Sequence, residues 1–231
     1  MRALDSPRIC AVVTAGSTAE AINAIEGVSK LGPDLIEVRF DYMARPREPE
    51  RIRKATDLPL IATNRRSNQG GRTDKTELQR IGLLTEAAEV GFDYVDVELL
   101  TDYVGNVLEK IRAHDAKIVV SYHNFDRTPS ADELSSILGS ERSLGADVCK
   151  IVGTAQTPGD SLAYLRLIEE NPEDRLVCFG MGAPGITSRV LSSLFGAAWT
   201  YASTGAGLES APGQPTMADL RKIYAILEAM A

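Results

Sequence analysis

Lys150 stands inside an otherwise apolar run, DVCKIV (147–152), and one of the chain's two histidines, His123, closes another, KIVVSYH (117–123). A lysine in the dry interior of a strand is rare unless it is paired or used. An amine attacks a ketone only when neutral, and a free lysine has a pKa of about 10.4. Desolvation and nearby cations both lower that value. The apolar run offers the first and the arginines of the chain the second. A neutral lysine adding to a ketone gives an imine. The protonated imine acidifies the carbon next to it, and an imidazole is suited to take that proton. Arg39, Arg65 and Arg189 suit a carboxylate or phosphate, which a guanidinium grips through two parallel bonds. The residues point to Schiff-base chemistry on a small anionic ketone. The other histidine, His114 in KIRAHD, lies near a helix end and reads as a solvated residue beside terminal carbonyls.

Strand-like runs recur eight times: 8–14, 35–40, 58–64, 92–99, 117–123, 147–152, 175–181 and 199–203. Helical segments separate them. SADELSSILGS opens on a capping box, Ser130 with Glu133, and Gly139 is its expected stop. TELQRIGLLTEAAEVG has apolar residues at helical spacing and stops at Gly91. TMADLRKIYAILEAM has Thr216 as cap and Asp219 in its first turn. Strands alternating with helices imply a parallel sheet. Eight such units predict an α/β chain folded as a single-domain (β/α)8 TIM barrel over residues 1–231, compact beside the usual length of about 250. An open doubly wound sheet is the alternative. In a barrel the C-terminal strand ends meet at one mouth. Glu37 and Arg39, two apart, share a face, as do Asp96 and Glu98. Arg65 follows the third strand, and Arg189 comes early in the helix after the seventh. Glu37 and Arg39 can also simply pair with each other. GMGAPG (180–185) spells a dinucleotide fingerprint, but no acidic residue stands at the required distance. A glycine-rich loop gripping an anion with Arg189 fits better.

The chain has 231 residues and a formal net charge of −7, with a pI near 5.0. That argues against nucleic acid as a partner, which would call for a basic face. It leaves a small anionic substrate open, because local field and net charge are separate. Cys10, Cys149 and Cys178 each sit in apolar runs, far apart and odd in number. They read as free thiols of a cytoplasmic protein, and no spacing suggests a zinc site. MRALDSPRIC has no signal-peptide core. No apolar run nears the roughly 20 residues that span a bilayer, so no membrane partner is expected.

EVRFD (37–41), TNR (63–65), SYHNF (121–125), KIV (150–152), MGAPGITSR (181–189) and SAPGQ (210–214) follow in order along the chain. Together they resemble type I 3-dehydroquinate dehydratase of the shikimate pathway. The resemblance implies a (β/α)8 barrel, usually a homodimer, with neither metal nor cofactor. It implies dehydration of 3-dehydroquinate to 3-dehydroshikimate by syn elimination. Lys150 would form the imine and His123 would act as general acid and base. Arg189 would bind the substrate carboxylate, with Ser210 and Gln214 closing over it. Glu37, Arg39 and Arg65 would hold ring hydroxyls and shape the charge around the imine.

Two positions depart from the family's pattern. Gln69, in RRSNQGG, stands where a glutamate commonly orients the histidine. Glutamine hydrogen-bonds an imidazole but cannot stabilise its charged form by charge. Tyr201 stands where the motif often has Phe, and its hydroxyl needs a partner if buried. The loops RSNQGGR (66–72) and LESAPGQ (208–214) are expected to act as lids. A class I aldolase and a metabolite-binding barrel without turnover are the competing readings.

Overall fold

A computed structural model describes residues 7–44, 47–72 and 76–230. The MRALDS stretch, six of the ten residues read for a leader, lies outside them. Eight strands run β1 (Ile9–Val13), β2 (Leu35–Arg39), β3 (Leu60–Thr63), β4 (Tyr94–Glu98), β5 (Lys117–Asn124), β6 (Val148–Thr154), β7 (Leu176–Met181) and β8 (Thr200–Ser203). Helices follow them: α1 (Thr18–Ser29), α2 (Pro49–Arg53), α3 (Glu77–Glu89), α4 (Val104–Arg112), α5 (Ala131–Ser143), α6 (Asp160–Glu170), α7 (Ile186–Leu191) and α8 (Met217–Ala229). All ladders are parallel and neighbours in sequence pair, with β8 returning to β1. At the seam between β7 and β8, the Ala198 N–H donates to the Leu176 carbonyl at 2.7 Å. The sheet is thus a nearly closed barrel, as the eight beats predicted.

Period-two alternation divides each strand between two cores. Outward residues such as Ile9, Val38, Ala62, Val97, Ile118 and Val120 pack on Ile25, Leu84, Leu108, Ile111 and Leu220 of the helices. Cys149, Ile151, Leu176 and Cys178 face Leu134, Leu138, Tyr164 and Ile168 in the same layer, further round the barrel. Inward residues fill the barrel axis, with Cys10, Val12, Leu35, Ile61, Tyr94, Val119, Val148, Val177 and Trp199 in the apolar filling. That filling lets ionisable groups stand above it without water below. All three cysteines are free and buried.

The local signals act where they were read, with one correction. Ser130 and Glu133 form a reciprocal capping box, Thr76 and Thr216 cap α3 and α8, and Gly91 ends α3 at φ +91°. Gly139, however, does not stop α5. The helix runs on to Ser143, and Gly145, at φ +70°, turns the chain. An added Cβ at Gly139 would meet open space, so that glycine is a tolerated helical residue rather than a terminator. His114 is exposed beyond α4, as expected. Among the described residues no helix is long and apolar enough to cross a membrane.

Candidate active site

The ten residues named from the sequence all line one pocket at the C-terminal mouth of the barrel. They are Glu37, Arg39, Arg65, Gln69, His123, Lys150, Arg189, Tyr201, Ser210 and Gln214. The space between them, counting the part open to solvent, is about 510 Å³. Phe125, Val152, Phe179, Met181 and Ala211 supply its apolar wall.

Lys150 is 5% exposed, and its ammonium has three acceptors. Nζ lies 2.9 Å from Asp96 Oδ2, 3.1 Å from the Tyr201 hydroxyl and 3.4 Å from Glu37 Oε1. The expectation that cations press on this lysine is therefore corrected, since its nearest charged neighbours are carboxylates. The nearby guanidinium, Arg65, reaches it through Asp96, to which Nη2 donates at 2.6 Å. Arg65 Nη1 donates to Ser121 Oγ at 2.6 Å, and Ser121 in turn donates to Asp96. Burial alone would push the Asp96 carboxyl up, but Arg65 and then Lys150 outweigh it and hold it well below the usual carboxylate range.

Glu37 and Arg39 share a face but do not pair. Thr63 Oγ1 donates to Glu37 at 2.9 Å. Arg39 instead forks onto Asp41 through Nε and Nη2 at 2.9 and 2.8 Å. The reason is the turn Phe40–Tyr42 just past β2, which folds Asp41 back under the guanidinium. Asp41 also accepts from the backbone N–H groups of Arg65 and Arg72. It thereby ties the entry of the 66–72 loop to the rim.

The strands place His123 one inward step above Ser121, which is in register with Lys150. The imidazole lies beside the Phe125 ring, with centroids 6.2 Å apart and planes at 13°. Its Nδ1 is buried without a hydrogen-bond partner. Gln69 does not reach the ring, and its Oε1 accepts from the His123 backbone N–H at 3.3 Å. Burial, then Arg65 and Lys150, push the imidazole well below its ordinary pKa, so the neutral form is the resting one. Protons are taken up by the unfolded chain first, so this residue withdraws stability as pH falls below the ordinary imidazole value.

Arg189 is 1% exposed, and among the described residues no carboxylate pairs with it. Its guanidinium lies 4.3 Å over the Phe179 ring and donates a long bond of 3.5 Å to the Pro212 carbonyl. Its Nε has no partner. Burial pushes its pKa down to about 9, which leaves it charged at neutral pH. A dry, unpaired cation facing a pocket is free to take an anion. GMGAPG turns tightly on itself. Its Gly185 packs on the Gly180 carbonyl, where an added Cβ would approach to 2.3 Å.

The 208–214 loop sits on that turn. The Gly182 N–H donates to Pro212 O at 3.0 Å, and Ser210 donates through both N and Oγ to Gln214 Oε1. Gly213 has φ +72°, and a Cβ there would come within 2.6 Å of the Gly182 carbonyl. Gly213→Ala is expected to lift the loop and speed hydrogen exchange at the Gly182 amide about tenfold or more. An unchanged exchange rate would show that the loop is not seated there.

The chain matches the family model described as type I 3-dehydroquinase over residues 9–231. It belongs to the type I 3-dehydroquinase family. It is 38% identical over 224 residues to the 3-dehydroquinate dehydratase of Dehalococcoides mccartyi, covering 96% of both chains. The structure of 3-dehydroquinate dehydratase from Geobacillus kaustophilus has a TM-score of 0.88 at 29% identity, covering 96% of this chain and 91% of that one. The type I enzyme of Clostridium difficile, solved with covalent modified comenic acid, also has a TM-score of 0.88, at 25% identity over 98% and 94% of the two chains. The family's activity is dehydration of 3-dehydroquinate in the shikimate pathway.

Two parts of the buried network behind this type I 3-dehydroquinase pocket were not assigned from sequence. Asp96 is the hub that holds Lys150, Arg65 and Ser121, and its place on one face with Glu98 was the visible signal. Arg80 is the other. It is a helix residue 1% exposed that bonds Glu98 at 2.7 Å and Glu77 at 2.8 and 2.9 Å. Nothing local marks it as more than a helix arginine.

Proposed function

We propose that this enzyme removes water from 3-dehydroquinate by syn elimination through an imine at Lys150, with His123 as general acid and base. The observation that carries the reading is the buried Lys150 amine opening into the same pocket as an unpartnered imidazole and an unpaired guanidinium. The Clostridium difficile relative, solved with covalent modified comenic acid, supports it.

In this reading Arg189 takes the substrate carboxylate through two parallel bonds, and the ring lies against Phe179, Met181 and Ala211. That leaves the ketone at the lysine end. Nζ adds to the C3 carbonyl carbon, and water leaves as the imine forms. The protonated imine draws electrons from C2. His123, one step above Lys150 in register, takes the C2 proton with its neutral nitrogen. The resulting enamine expels the C1 hydroxyl as His123 returns the proton to it, so both groups leave on one face. Hydrolysis of the conjugated imine frees 3-dehydroshikimate and restores the lysine. Glu37, Arg39 and Arg65 surround the ring hydroxyls and balance the charge at the nitrogen. Ser210 and Gln214 close the loop over the carboxylate. The reading includes a homodimer in the cytoplasm working without cofactor.

Substrate deuterated separately at each C2 position tests the elimination. The reading requires loss of the label from the face that carries the leaving hydroxyl, and loss from the opposite face would overturn it. Gln69 supplies a second check. NMR titration should place the His123 transition below the ordinary imidazole range, and Gln69→Glu should raise it by bringing a carboxylate to the backbone beside the ring. A transition that the substitution leaves in place would remove Gln69 from the account.

A further inference from the structure

The third acceptor of Lys150 is of a different kind from the other two. Asp96 and Glu37 are carboxylates and can only accept. The Tyr201 hydroxyl, 3.1 Å from Nζ, can accept or donate as its hydrogen turns. Burial, and after it Glu37, push the phenol well above its ordinary pKa, so the hydroxyl stays neutral. The ring that carries it is fixed. Tyr201 is in register with Cys10 of β1 and points inward. It meets Trp199 and Phe179 edge-on at 6.4 and 6.1 Å. Nζ lies 4.4 Å from the ring centroid.

The nitrogen passes through forms that ask for different partners. As an ammonium it has three N–H groups, and the three acceptors satisfy them. As a neutral amine it has two N–H groups and a lone pair. The carboxylates can keep the two N–H groups, and the hydroxyl can turn to donate to the lone pair until the ketone displaces it. As a protonated imine it is planar with one N–H. A group that follows these changes without moving keeps the nitrogen in place. Neither carboxylate can do so.

We propose that Tyr201 is a positioning residue for the reacting amine, its hydroxyl being the neutral partner that keeps Nζ aimed into the pocket as the nitrogen changes form. The proposal rests on the Schiff-base reading above. Tyr201→Phe tests it, because the ring, its edge contacts and the cation–π contact all remain. With the full chain, kcat and KM for 3-dehydroquinate are measured beside the rate at which borohydride traps substrate on Lys150. The expected result is a KM unchanged within about twofold and a kcat lowered about tenfold to a hundredfold, the scale of a misplaced reacting group. Trapping should slow by the same factor. A kcat and trapping rate equal to wild type would overturn the role. So would a raised KM with kcat unchanged, which would make the hydroxyl a substrate contact. If the wild-type enzyme turns over yet traps nothing on Lys150, the Schiff-base reading falls first, and that result is distinct from a Tyr201 variant that matches wild type.

Discussion

Lys150→Met is expected to lower kcat on the order of 10⁵–10⁶-fold, the scale seen when a covalent nucleophile is removed. Methionine keeps the unbranched shape of the stem, so the apolar rim of the pocket stays filled. The carboxylates left behind are not stranded. Asp96 keeps Arg65 and Ser121, and Glu37 keeps Thr63. The fold should therefore lose less than the roughly 3–5 kcal/mol that a broken buried ion pair costs. Steady-state kinetics and a denaturant titration read the two effects separately. A variant that retains a tenth of wild-type kcat would remove the lysine from the chemistry, whatever its stability.

Arg189→Met should act in opposite directions on binding and stability. The guanidinium is dry, unpaired and charged, which is costly in the free enzyme. Replacing it with an apolar side chain of similar length should stabilise the ligand-free protein by about 1–3 kcal/mol. The same change removes the group that takes the carboxylate, and kcat/KM should fall about 10³-fold, as for loss of a buried charged contact. Product bound to wild type should raise its melting temperature, and the variant should show no such rise at the same concentration. Were Arg189 merely structural, the variant would be less stable than wild type and would still bind product.

The barrel was legible because its signals are local. Each strand is a short apolar run with punctuation on both sides, and eight of them leave little choice of architecture. Lys150 and His123 were legible because an ionisable group in an apolar strand is conspicuous. Pairings between strands were not. Arg39 was read beside Glu37 because they share a face, yet the turn after β2 brings Asp41 to it. Asp96 was visible as an inward carboxylate, but its partners Arg65, Ser121 and Lys150 come from three other segments. Gln69 was assigned to the imidazole, yet the loop geometry sets its amide against the backbone of His123. Gly139 looked like a stop, but a helical glycine costs only about 1 kcal/mol beside alanine, and the packing of α5 on β6 carries the helix past it.

The central claim is the covalent bond between Lys150 and substrate. Intact mass after mixing the enzyme with 3-dehydroquinate and sodium borohydride tests it, with Lys150→Met as the control. A stable adduct of the reduced imine, mapped to Lys150 and absent from the variant, is the predicted result. Continued dehydration with no adduct at Lys150 would contradict the account.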